Sequence, residues 1–310
     1  MKLSYKNSEK HFLPMIKLNS KNIQGSSIAH LNSIQKQIAG EVTFEAQVKK
    51  AVSKWDSKVS GEGKEAFKDI KDTLLGMCVG VEICVYCEQN EATDIEHIFP
   101  KKLYPEKAFF WSNYVLACAK CNTHHKSDKF KIFNPADSTT EIDITPPRRT
   151  YVKPPNDAAL FINQRLEDPM DYFELDLVNQ QFIFVEKHVA GTKEYLKANY
   201  TKELLGLNKR AALIANRRNA AKFYISRLEK YVAAKMSTNF EELEASINDD
   251  WGAINNTVNF QNERNRILSS IKNDIMTYSH PTVWKELVRQ RQNLPKTNSL
   301  LNRAAEAISW

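Results

Sequence analysis

Two Cys-x-x-Cys pairs, Cys84/Cys87 and Cys118/Cys121, constrain this 310-residue chain more than any other feature. They take four of its five cysteines. The opening stretch MKLSYKNSEK lacks the apolar segment of a secretory signal, and no run of 18 apolar residues occurs, so a reducing cytosol is the expected setting. There, paired cysteines read as metal ligands rather than disulfides. Four thiolates close a tetrahedron around one Zn²⁺ and leave no open position. The expected zinc is therefore structural, contributing on the order of 10 kcal/mol to folding. Cys78 is left over, and its neighbours Leu74, Leu75, Met77 and Val79 mark it as a buried structural thiol.

The residues between the pairs carry chemistry. Thr93 to Phe99 alternates as a strand that Pro100 ends, Val115-Leu116-Ala117 reads as a second strand, and residues 119–129 suit a helix. His97 has the side chain best suited to accept a proton from water near neutral pH. Glu96 is a hard oxygen ligand for Mg²⁺ or Mn²⁺, and Asn122 offers a second oxygen. Asn113 is placed to hold the His97 loop through its amide. His124 and His125 are further candidates at the metal or at phosphate, and Lys126 is a candidate phosphate contact.

The string CVYC…DIEHIFPK…WSNYVLACAKCNTHHK resembles the HNH endonucleases, whose ββα-metal motif is often stapled by a four-cysteine zinc. The resemblance implies His97 as general base, Glu96 and Asn122 as catalytic metal ligands, and Asn113 as the residue orienting the loop. The acidic position is Glu where Asp is commoner. CVYCE, EHIFPK, WSNY and the later LLGLNKR further resemble the PtuB-like branch of Septu and retron-linked phage defence, which acts with an ABC-type ATPase, PtuA. The implied function is metal-dependent endonucleolysis, DNA before RNA. The alternatives are a toxin-like HNH ribonuclease and a non-hydrolytic, zinc-stapled binding or interaction subunit.

The rest of the chain reads as an α+β protein, mostly α. An N-terminal helical region (1–78) with three helices precedes the cysteine module (79–135). A connector (136–190) follows, with a β-hairpin at Phe173–Leu177 and Gln181–Val185 and with Ile142, Ile144, Tyr151 and Val152 needing burial. A basic helical region (191–310) ends the chain. Ser26 or Ser27 is the expected cap of the first helix and Asn208 that of a long later one. Met15 to Leu18 is a candidate edge strand. The net charge of +7 favours an anionic partner, nucleic acid first. From Lys187 to Lys235 twelve Lys/Arg face three Glu, so this stretch reads either as a solvated helix face or as a phosphate-tracking surface with Arg210, Arg217 and Arg218 as contacts.

Overall fold

The computed structural model describes residues 18, 21–78, 82–146, 151–247 and 254–310. The candidate edge strand at Met15 to Lys17 and the apolar pair Val79 and Val81 lie outside these. Helices α1 (Gly25–Ala39), α2 (Phe44–Asp56) and α3 (Gly63–Leu75) follow the 3.6-residue apolar period, burying Leu31, Ile34 and Ile38, then Val48, Ala51 and Trp55, then Phe67, Ile70 and Leu74. Thr43 caps α2 by accepting from the Ala46 N–H at 3.1 Å. Neither Ser26 nor Ser27 caps α1. Gln24 holds that position without a side-chain bond, and its own N–H goes to Asp69 of α3. The α2–α3 turn closes so tightly that a Cβ on Gly63 would lie 2.1 Å from the Lys58 carbonyl oxygen, which fixes Lys58 just past α2.

Strand β1 (Asp94–His97) pairs antiparallel with β2 (Tyr114–Ala117), Glu96 opposite Val115 and His97 opposite Tyr114. Strand alternation sends Asp94 and Glu96 to one face and Ile95 and His97 to the other. The helix expected next is a π-helix, Lys120–Lys126, closed by a bond from the Ser127 N–H to the Asn122 carbonyl five residues back, at 2.6 Å. Ser127 ends it with φ +49°. A second hairpin, β3 (Lys131–Phe133) with β4 (Glu141–Asp143), had no signal in the sequence reading. Ile142 and Tyr151 are half-buried, whereas Val152 is exposed, contrary to expectation.

The next hairpin pairs β5 (Phe173–Leu175) with β6 (Phe184–Glu186), so its loop is longer than the Val178-Asn179-Gln180 connection that the sequence suggests. Gln180 and Phe182 both have positive φ, and Phe182 turns inward with Phe184. Then come α4 (Lys193–Leu204), α5 (Ala211–Met236), α6 (Phe240–Ser246), α7 (Phe260–Thr277), α8 (Pro281–Arg289) and α9 (Pro295–Arg303). Asn208 does not cap α5. Its amide bonds both backbone groups of Phe184 at 2.8–2.9 Å and ties the hairpin to the helix. Around α5, the rings of Tyr224, Trp284, Trp310 and Tyr231 pack in sequence. The fold is α+β and mostly helical, with two-stranded sheets. Among the described residues no helix is long and apolar enough to cross a membrane.

One contact joins the cysteine module to the far end of the chain. Glu88, next to Cys87, is buried and accepts from the Thr282 hydroxyl at 2.6 Å and its N–H at 3.3 Å. A carboxylate is thus set against the free N–H groups that open α8. The Glu88 carbonyl takes the His280 N–H at 3.0 Å. His280 is in the left-handed region with φ +54° and is 1% exposed. Burial, helped by the Arg217 charge, lowers its pKa to about 3. The unfolded chain protonates this ring near pH ~6.5 while the folded one does not, so its contribution is intact above that pH and lost as pH falls toward 3. Stability should therefore drop by roughly 2 kcal/mol between about pH 7 and about pH 5 from this group alone. His280→Asn, which tolerates the left-handed backbone, should flatten that slope in urea titrations. An unchanged slope would assign it to other groups.

Candidate functional site

The four paired cysteines come together. The sulfurs of Cys84, Cys87, Cys118 and Cys121 all lie within 4.8 Å of one another, and all four residues are buried. The first pair sits on a knuckle held by the Cys84 N–H to the Asn90 carbonyl, 2.8 Å, and the Val85 N–H to the Leu116 carbonyl, 3.2 Å. The second pair spans the end of β2 and the start of the π-helix, where the Cys121 N–H points at the Cys118 sulfur, 3.4 Å. Bonds from neighbouring sulfurs push the Cys118 thiol strongly down, and burial pushes Cys84 up. A shared positive ion resolves such crowding by taking all four as thiolates, so the donor set fits a closed Zn²⁺ site. Arg210 completes its surroundings by donating to the Cys121 sulfur at 3.3 Å. Cys78 stands apart, half-buried, with its thiol pushed up to about 12 by burial, as expected of an inert thiol.

His97 lies at the end of β1 and is 5% exposed. Its Nε2 is 2.9 Å from the Ala108 carbonyl oxygen, which also accepts from the Tyr114 hydroxyl. A carbonyl can only accept, so Nε2 carries the proton and Nδ1 keeps its lone pair. Among the described residues none hydrogen-bonds Nδ1. Burial, with the charges of Lys101, Lys126 and Lys58, holds the ring pKa well below its usual value. Trp55 of α2 packs against the ring at 4.1 Å between centroids. Asn113 bonds three backbone groups: its oxygen accepts from the Phe99 N–H at 2.8 Å, and its amide donates to the Phe99 and Lys107 carbonyls at 3.0 and 2.9 Å. The loop between β1 and β2 is thereby tied across the strand ends.

On the other face of β1 the arrangement departs from the sequence reading. Glu96 is buried and ion-paired at 2.5 Å with Lys126, which is fully enclosed and also donates to the His97 carbonyl at 2.7 Å. An ammonium therefore stands where the sequence suggested a cation held by Glu96, and Lys126 cannot reach a phosphate. The longer π-helix turn is what brings Lys126 under the strand. Burial still raises the Glu96 pKa against the pull of Lys126. Asn122 meets Asp94 instead, amide to carboxylate at 3.0 Å, both half-exposed. Asp94 went unremarked in the sequence, although its place two residues before Glu96 puts it on the same face. These two oxygen-bearing groups fit a hard divalent cation, whereas the charge of Glu96 is already matched.

The basic segment is largely spent inside the protein. Arg217 is 2% exposed, lies over the Phe184 ring at 4.3 Å and donates to the Phe182 carbonyl, so it is no phosphate contact. Arg210 is engaged by the cysteine cluster. Lys197, Lys202, Lys209 and Lys235 pair with Glu167, Glu186, Glu203 and Glu306. Arg218 remains exposed on α5. His125 packs beside Gly206, and His124 lies edge-on to it in the open.

A family model for HNH endonuclease matches residues 84–128. The chain is also similar to the Septu protein PtuB of Bacillus thuringiensis, 36% identical over 64 residues. That match covers 18% of this chain and 25% of the relative, so the chain spans about a quarter of the relative's length. No solved structure matches it. Residues 84–128 of the cysteine module thus match an HNH endonuclease domain, and the four-cysteine cluster is the zinc-binding type of arrangement.

Two outcomes follow from this geometry. Cys118→Ser should abolish stoichiometric zinc, measured by atomic emission, and collapse the module; a zinc-free variant with wild-type melting would deny the staple. Lys126→Met should destabilise the protein by roughly 3–5 kcal/mol in urea unfolding, because Glu96 is left charged and alone. Glu96→Gln combined with Lys126→Met should recover most of that loss.

Proposed function

We propose that this chain, whose residues 84–128 match an HNH endonuclease domain, hydrolyses nucleic-acid phosphodiester bonds, DNA before RNA, in cytosolic antiphage defence. The observation that carries the reading is the His97 imidazole. Its Nε2–H is committed to the Ala108 carbonyl, and its lone pair remains at Nδ1. That is the tautomer a general base needs, and burial keeps it neutral. The three bonds of Asn113 hold the loop that supplies the Ala108 carbonyl, so Asn113 acts as a positioning residue.

In the proposed reaction Nδ1 of His97 takes a proton from water as the water oxygen attacks phosphorus. The P–O bond to the 3′ oxygen breaks on the opposite side, leaving a 5′-phosphate and a 3′ oxygen that takes a proton from solvent water to become the 3′-hydroxyl. Asn122 and Asp94 are the groups that would hold Mg²⁺ or Mn²⁺, with Glu96 behind them. When bound there, on the face of β1 opposite His97, such a cation would supply positive charge for the nucleic-acid backbone. The Lys126 ammonium steadies the strand end by its bond to the His97 carbonyl. The likeness to Septu PtuB supports a defence setting, and the PtuB-like resemblance adds an ABC-type ATPase of the PtuA kind as partner.

Purified protein with Mg²⁺ or Mn²⁺ should cut plasmid or single-stranded DNA faster than tRNA. His97→Ala should lower cleavage by on the order of 100-fold or more while zinc content and DNA binding persist. Wild-type cleavage by His97→Ala would end this assignment.

A further inference from the structure

Lys58 and Lys101 come from opposite sides of the cysteine module's border and converge on one ring. Lys58 lies two residues past α2 and 4.5 Å from the Trp55 ring centre; Lys101 follows Pro100 at the exit of β1 and lies 5.9 Å from it. The same ring packs against His97 at 4.1 Å. Both lysines are half-buried. Among the described residues neither makes an ion pair; Lys58 donates only to the Trp55 carbonyl, at 3.4 Å. Asp56 is near enough to both lysines to be felt, Asp94 to Lys58, and Asp128 and Glu96 to Lys101; Asp128 is bound to Lys102 and Glu96 to Lys126.

Two part-desolvated ammonium groups over one ring, with no carboxylate at ion-pair distance among the described residues, leave a position that an anion can fill. Burial lowers the pKa of each, and Lys101 lowers that of Lys58 further. The tight α2–α3 turn at Gly63 fixes the Lys58 backbone from which the side chain extends. We infer that Lys58 and Lys101 form a phosphate clamp beside His97, gripping the nucleic-acid backbone at the cleavage site from the N-terminal helices and the β1 exit together. This deepens the nuclease reading and rests on it for the identity of the phosphate. It also gives the N-terminal helical region a part in substrate binding, which the cysteine module alone lacks.

The test is binding of a fluorescent DNA oligonucleotide to the full chain in excess chelator too weak to remove the thiolate-bound zinc, across a salt series. Lys58→Gln and Lys101→Gln should each weaken binding by about 3- to 10-fold and each lower the log–log salt slope by roughly 0.7–0.9, the value of one lost phosphate contact. Zinc content and melting temperature should stay at wild type. Lys49→Gln, an exposed lysine paired with Glu45 elsewhere on α2, is the control and should change neither quantity. Wild-type affinity and slope in both clamp variants would overturn the clamp, whatever the cleavage assay gives. Weakened binding in both, from a protein that never cuts with Mg²⁺ or Mn²⁺, would uphold the clamp and sink the nuclease reading instead.

Discussion

Four sulfurs within 4.8 Å of one another cannot be packed as ordinary core thiols without crowding their protons and lone pairs. An ion shared between them removes that conflict, and the rest of the module leans on the result. The first cysteine knuckle, the end of β2 and the start of the π-helix meet there. Because β1 is fixed by β2, and the π-helix by the second cysteine pair, the separation between strand and helix follows from the cluster. That separation decides whether Asp94 meets Asn122 and whether Lys126 reaches Glu96. The chemistry proposed for His97 is therefore set by atoms that take no part in it.

Charge is handled in two ways around this centre. Arg210 faces the thiolates, Lys126 faces Glu96, and Arg217 is folded against Phe184; all three are cations spent on the protein itself. Lys58 and Lys101 are the contrast, because they share an aromatic ring rather than a carboxylate. A basic sequence is thus a poor map of where nucleic acid would lie. Most of the positive side chains between Lys187 and Lys235 are consumed by neighbours, and the pair proposed to meet a phosphate comes from elsewhere.

Much of this was legible in the residues. The apolar stripes of Leu31–Ile34–Ile38 and Phe67–Ile70–Leu74 give α1 and α3, and the cysteine spacing gives the cluster. The alternation ending at Pro100 gives β1. What failed depended on atoms distant in sequence. Asn208 looks like a cap, yet its amide is worth more across the two backbone groups of Phe184 than at a helix end. The hairpin register was left open by the sequence, and Phe182 settles it by adopting a left-handed backbone to reach the core. The helix after β2 carries no sequence mark of its wider winding, so the descent of Lys126 onto Glu96 was invisible. Residue type identified His97 and Asn113, but only packing revealed which nitrogen of the imidazole is tied.

The bond from Glu88 to Thr282 spans 194 residues. A nascent chain presents the cysteines, the strands and His97 long before α8 has been made. Until then the Glu88 carboxylate and the knuckle around it lack the helix that encloses them. Synthesis itself therefore acts as a timer: the enclosure of Glu88 and its knuckle closes only once α8 has been made.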